Sequence, residues 1–454
     1  MQAIMLQLSH LYNLTDLTLV GTSMKYDQAE AIVLANTIWS LPKLIYCYLD
    51  VGDFYGSTVT SLSLKRIFIR RFSCQFNAFN NLIKNTPYLR HFSVPNLSFT
   101  SKNRDLPPII PLITRLNIGF NKIQVNIVFN FLQKLSNLYH LTVRTWDICI
   151  DGEEWKYIIS NYLPKLKKFQ LYMNFQYQGA IDQLLHTFQS SFWLVEHCWP
   201  VQCNWKLDNE NISLYTLPYG FHTFNFVYPI LSKSTSSIND NDYWWSYDYV
   251  HRLMFKNRFY QDSILSNIQF IQLRHLSLSF PVVDQFWSIV PTFNELTSLE
   301  VYSYDHHEFC QDQLQTLLDR APRLYSFTIH ENSSLSTQRA SLLFNSVSVR
   351  ELNLRYSHKA YTVKECVALS NSPLGMQCET LIINVKNRAC VLELINRMSN
   401  LLSLVVRCSD DKNDIKSSAT SDDIIEWFRD RLSQSSTIYR YGGVHNWIGL
   451  WIHR

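Results

Sequence analysis

The chain has 454 residues, 46% of them hydrophobic and 14% aromatic, with 17% charged and a formal net charge of +4. That is enough apolar material for a large core, and it excludes both wholesale disorder and a protein that holds nucleic acid through a general basic surface. Only 11 glycines occur, with no GxGxxG and no GxxxxGKS/T among them, which disfavours the phosphate loops of nucleotide enzymes. The 10 cysteines are scattered without CxxC spacing, against a zinc ribbon or a thioredoxin-type motif. The opening MQAIMLQLSHLYNL lacks the charged and unbroken apolar regions of a signal peptide, and no apolar run reaches the roughly 18 residues that span a bilayer. The expectation is an intracellular chain, cytoplasmic or nuclear, with reduced cysteines and no membrane partner.

One unit recurs along the chain: an apolar residue, two variable ones, an apolar, one variable, an apolar. It runs through Leu14-Leu17-Leu19, Leu44-Cys47-Leu49, Leu64-Ile67-Ile69, Leu89-Phe92-Val94, Ile113-Leu116-Ile118, Leu138-Leu141-Val143 and Leu166-Phe169-Leu171. It resumes at Leu273-Leu276-Leu278, Leu296-Leu299-Val301, Leu324-Phe327-Ile329, Val349-Leu352-Leu354, Cys378-Leu381-Ile383 and Leu401-Leu404-Val406. First positions lie 30, 20, 25, 24, 25 and 28 residues apart in the first block and 23, 28, 25, 29 and 23 in the second. This is essentially the 20–29-residue period of leucine-rich repeats. The last two apolar positions are two apart and share one face of a short strand, which cannot bury that face alone; stacked strands form a parallel sheet over one continuous core.

Between the strands, 28–39, 77–85, 126–135, 153–163, 312–321 and 390–398 carry apolar residues at helical spacing. Pro42, Pro87, Pro164 and Pro322 close several of these segments, since proline cannot continue a helix and biases its predecessor toward extended backbone. The predicted fold class is α/β: a curved leucine-rich-repeat solenoid with parallel strands on the concave face and helices on the convex face. Its parts are repeats over 1–174, an irregular stretch of degenerate repeats over 175–270 with a polar loop at 232–242, and repeats over 271–454 closed by a helix–strand cap. Within the irregular stretch 199–207, 213–219 and 248–255 read as strands, and Ser421 is placed to N-cap the last helix.

The array with helical 23–30-residue units, together with the segments EEWKYIISNYLPKLKKFQLYM (153–173), FWLVEHCWPVQCNW (192–205), LYTLPYGF (214–221) and SDDIIEWFRDRL (421–432), resembles the leucine-rich-repeat region of a divergent F-box protein family. The resemblance implies a scaffold whose repeats hold a substrate for ubiquitin ligation, while an N-terminal F-box docks on a cullin–RING ligase adaptor. Nothing before Leu14 offers the Leu-Pro-acidic start of an F-box, so the adaptor is expected as a partner only where an F-box lies upstream. The alternatives are an adaptor of the same fold with no ligase link and, more remotely, a hydrolase or metalloenzyme site within 175–270.

Chemistry-bearing clusters are few. His306-His307-Glu308 reads as a solvated loop, Cys198-x4-Cys203 with His197 as part of a buried strand, and Trp244-Trp245 as core or loop-anchoring aromatics. No GxSxG or HExxH is present, so no catalytic residue, metal or cofactor is assigned. The residues flanking the inward apolar positions are more informative. Arg66, Phe68 and Arg70, His91, Arg115 and Asn117, His140 and Arg144, and Lys168 and Tyr172 fall on the outward face of five successive strands with almost no carboxylate among them. The same positions in the second block are mixed: His275, Glu300, Tyr302, His330, Glu351, Arg355 and Arg407. The expected partner is an acidic or phosphorylated protein segment, for which Arg offers bidentate pairing; nucleic acid is disfavoured by the short stripe and low net charge.

Overall fold

The structure, a computed structural model, describes residues 8, 10–20, 28–50, 56–70, 74–98, 112–205, 211–226, 231–236, 247–255, 268–303, 308–331, 344–357, 359–409, 422–432, 436–440 and 447–452. His306, His307, Trp244, Trp245 and Ser421 lie outside them, as does most of the polar loop at 232–242.

In chain order the strands are β1 (Asp16–Val20), β2 (Tyr46–Asp50), β3 (Arg66–Ile69), β4 (Cys74–Gln75), β5 (His91–Ser98), β6 (Arg115–Asn121), β7 (His140–Trp146), β8 (Lys168–Phe175), β9 (Val201–Trp205), β10 (Ile212–Thr216) and β11 (Thr223–Phe226). They continue as β12 (Leu231–Ser234), β13 (Arg252–Phe255), β14 (His275–Phe280), β15 (Ser298–Ser303), β16 (Ser326–Glu331), β17 (Glu351–Leu354), β18 (Thr380–Val385), β19 (Ser403–Cys408), β20 (Ser436–Arg440) and β21 (Ile448–Ile452). They form two mostly parallel sheets, and the chain is α/β. The first sheet runs β1-β2-β3-β5-β6-β7-β8-β10-β9-β12 with β4 beside β5, and the second runs β11-β13-β14-β15-β16-β17-β18-β19-β21-β20. No described helix is long and apolar enough to cross a membrane.

The chain divides into two compact units, 1–220 with 230–245, and 221–229 with 246–454. The boundary falls inside the stretch predicted as irregular. In the first unit β10 pairs antiparallel with β8 and β9, and β12 antiparallel with β9, so parallel stacking stops at β8. In the second unit parallel pairing starts with β11 and β13.

The apolar triplets align strand to strand. Leu17, Cys47, Ile67, Phe92, Leu116, Leu141 and Phe169 are successive register partners, as are Val94, Ile118, Val143 and Leu171. In the second sheet Leu276, Leu299, Phe327, Leu352, Leu381 and Leu404 do the same. All of these side chains are buried. Helices cover the same face of the first sheet: Leu34, Ile38 and Trp39 from 28–39, Phe131 and Leu132 from 125–132, and Trp155, Ile158 and Ile159 from 152–162 join the strand residues in one core. The prolines at 42, 87, 164 and 322 sit at the turn after each helix, where a missing N–H costs nothing.

Successive parallel repeat strands are entered through the same backbone fork. One carbonyl accepts from two consecutive N–H groups of the next repeat: Ile45 O from Lys65 and Arg66, Lys65 O from Arg90 and His91, Arg90 O from Thr114 and Arg115, and Thr114 O from Tyr139 and His140. The second unit repeats the fork at His251, Arg274, Thr297, Tyr325, Arg350 and Glu379. The fork satisfies the donors where turn becomes strand, and it sets the residues just before and at each strand start in equivalent places.

Candidate functional site

With the apolar triplets turned toward the helices, the alternate residues of each strand face away from the core. Their first row is read from the register: Arg66 of β3, His91 of β5, Arg115 of β6, His140 of β7 and Lys168 of β8 are successive partners. Neighbouring strands are about 4.8 Å apart, so the four steps of this row span roughly 19 Å. Arg66, Arg115 and Lys168 are exposed and the two histidines half-buried. Among the described residues no carboxylate pairs with Arg66 or Arg115 within 4.0 Å.

The cations act on the imidazoles between them. Burial, then Arg115, Arg66, His140 and Arg90, lower the pKa of His91. Burial also lowers that of His140, with Lys168 and Arg115 adding to the effect and a hydrogen bond from Nε2 to Gln170 Oε1 (3.3 Å) opposing it. Both rings are thus disposed toward the neutral form.

The other predicted residues fall elsewhere. Arg70 and Arg144 lie four residues beyond the first row, not in it. Arg70 reaches buried Asp50 at 3.9 Å. Arg144 Nη1 donates to Asn117 Oδ1 at 3.1 Å, and burial lowers its pKa against the opposing influence of Tyr219 and Tyr172. Tyr172 stacks on Tyr215 of β10 with centroids 6.4 Å apart, its hydroxyl 3.4 Å from Ser213 Oγ, so the antiparallel turn of the sheet holds it. Phe68 packs on Tyr46 at 5.5 Å, an aromatic end to the cationic row.

Residues outside the strands adjoin the row. Arg90, His91, Leu112, Arg115, Tyr139 and Lys165 line an open groove of about 570 Å³ at the strand-entry edge. Arg90, Tyr139 and Lys165 precede their strands and were missed by a search confined to strand positions. The signal was present, because each touches the first apolar residue of its unit in sequence: Arg90 after Leu89, Tyr139 after Leu138, Lys165 before Leu166.

The second unit carries a different arrangement. Glu300 of β15 accepts from Ser277 Oγ (2.8 Å), Tyr302 Oη (2.8 Å) and His330 Nε2 (2.7 Å). The His330 bond, aided by those of Ser277 and Tyr302 against the cost of burial, holds its carboxyl down to about 2. His330 is stacked between Tyr302 and Tyr356 at 4.0 Å on each side, and Arg355 lies 4.7 Å from the Tyr356 ring centroid. Glu300 is therefore satisfied from three directions.

The remaining chemical candidates do not assemble. Cys203 is buried in β9, its thiol pushed up to about 12 by burial, whereas Cys198 is exposed and His197 stacks on Trp199 at 4.2 Å. Among the described residues no three of His, Cys, Asp and Glu converge to hold a metal ion. No family model matches the chain, and no curated protein matches it.

Proposed function

We propose that the chain is a curved α/β solenoid of leucine-rich-repeat type that holds an acidic segment of a partner protein along the row Arg66–His91–Arg115–His140–Lys168, as F-box proteins of this architecture hold their substrates. It is a binding protein rather than an enzyme. The observation that carries the reading is the register: three cations and two imidazoles on five successive parallel strands, with no described carboxylate paired to Arg66 or Arg115. A row of roughly 19 Å matches an extended segment of about six residues. Crowding cations costs free energy that an acidic ligand relieves, and the two guanidiniums offer forked pairing to carboxylates.

The test is capture of an acidic hexaglutamate peptide by the purified chain. Arg66→Glu/Arg115→Glu should abolish it, while reversing Glu351 in the second unit should leave it intact. Retained binding by the double variant would remove the row from the account. The ligase arm is tested separately, by whether a cullin–RING adaptor co-purifies with the full chain from cells. Capture of the peptide without the adaptor leaves a scaffold with no ligase link.

A further inference from the structure

The groove at the strand-entry edge shares His91 and Arg115 with the cationic row and adds Arg90 and Lys165 to them. We infer that it is a phosphate pocket, receiving a phosphomonoester carried by the acidic segment that lies on the row. The inference rests on the preceding reading for the segment, and for the phosphate on Arg90 and Lys165, which lie outside the row.

Three permanent cations, Arg90, Arg115 and Lys165, line this groove of about 570 Å³, and no carboxylate is among its lining residues. They come from the entries of β5, β6 and β8, with Asn137 and Tyr139 of the β7 entry between them, so the convergence is tertiary. Their backbone is fixed in advance: Arg90 O accepts from Thr114 N at 2.9 Å and Arg115 N at 3.1 Å, which ties the two arginine-bearing entries together. Lys165 Nζ donates to Asn137 Oδ1 of the neighbouring entry, which orients the ammonium. Two planar forks and one point charge suit a tetrahedral dianion, whose oxygens accept from several donors at once. A single carboxylate offers two oxygens and one charge, and would leave two of the three cations uncompensated.

His91 also lines the groove, faced by Arg90 on its own strand entry, Arg66 on β3, Arg115 on β6 and His140 on β7. A dianion in the groove opposes that positive field and favours the protonated ring, giving it a further donor. The exposed ring of Tyr139 and the side chain of Leu112 supply an apolar wall for the residue bearing the phosphate. Nucleic acid fits less well. Its repeating phosphates call for a long basic track, whereas this groove gathers three permanent cations and the chain's net charge is +4.

The experiment uses the full chain and three fluorescent hexapeptides, glutamate-rich with a central phosphoserine, serine or glutamate, measured by anisotropy. The phosphoserine peptide should bind about tenfold or more tightly than the glutamate peptide. Arg90→Ala/Lys165→Ala should erase that preference while keeping the glutamate peptide within about twofold, because neither residue is in the row. Equal affinity of the phosphoserine and glutamate peptides for the unmodified chain, or a preference that survives the double variant, would overturn the pocket and leave the row standing. If none of the peptides binds, the row reading fails instead. Inorganic phosphate titrated into the free chain then tests the groove alone: shifts of the Arg90 and His91 side-chain resonances support it, and their absence at millimolar phosphate overturns it.

Discussion

His91 and His140 set how the row responds to acid. Each ring binds its proton less tightly in the fold than in the unfolded chain, through burial first and neighbouring cations second. Below the ordinary histidine value of about 6.5 the unfolded chain therefore holds more protons, so stability falls as the pH drops through that value. We predict that Arg115→Ala raises the His91 titration midpoint, read from its imidazole resonances, and shrinks the stability lost between pH 7.5 and 5.5. An unmoved midpoint would mean that Arg115 does not act on the ring. Glu300 works in a lower window with the same sign. Its carboxyl, held down to about 2, contributes fully above the ordinary range near 4.3, and the contribution disappears as the pH falls toward 2. Replacing His330 with Phe should flatten the acid limb of a denaturation profile below pH 4.5; an unchanged limb would place the dependence elsewhere. Leu141 has no exposed surface, and Leu141→Ala should cost about 2–5 kcal/mol, with hydrogen exchange in β6 and β8 accelerating first. Unchanged exchange in those two strands would contradict coupling between neighbouring strands.

At the scale of elements, apolar spacing and proline punctuation were legible without a structure. The segment 28–39 is a helix at those bounds, and 76–84, 152–162 and 388–397 lie within a residue or two of expectation. The capping box of Asp151 and Glu154 sharpens one of these starts, and Asp151→Ala should cost about 0.5–2 kcal/mol in chemical denaturation. A cost near zero would show that packing alone holds that helix end. What sequence spacing does not carry is a close approach between backbones. Pairing of β5 with β6 shifts register between Val94 and Leu97, and there a Cβ on Gly119 would sit 1.7 Å from the Pro95 carbonyl oxygen. Gly119→Ala must push the two strands apart, at a cost of about 1–3 kcal/mol and with weaker protection of β5 amides. The antiparallel ending was equally hidden, since β9 and β10 alternate much as a parallel strand would and pairing direction depends on a partner distant in sequence.

For the whole molecule, the register makes the difference between a stripe and a row. Outward positions on five strands were legible from the apolar triplets, because residues two apart share a face. Which of them stand level follows from the same triplets, since Arg66, His91, Arg115, His140 and Lys168 each come two residues after the first apolar position while Arg70 and Arg144 lie four residues farther along; what the triplets do not carry is which of these side chains are held by neighbours. Arg144, half-buried and bonded to Asn117, is held by its neighbours and makes a poor probe of binding. Arg66, Arg115 and Lys168 are exposed and can be altered with the core intact. Charges this exposed are screened within about 8–10 Å at physiological salt, so capture along the row has to weaken as salt rises. The most direct measurement is the affinity of the hexaglutamate peptide across a salt titration, for the unmodified chain and for Arg66→Glu/Arg115→Glu. The account predicts affinity that falls steeply with salt for the unmodified chain and drops about tenfold or more in the variant at low salt. Affinity independent of salt, or equal for the two chains, would contradict it.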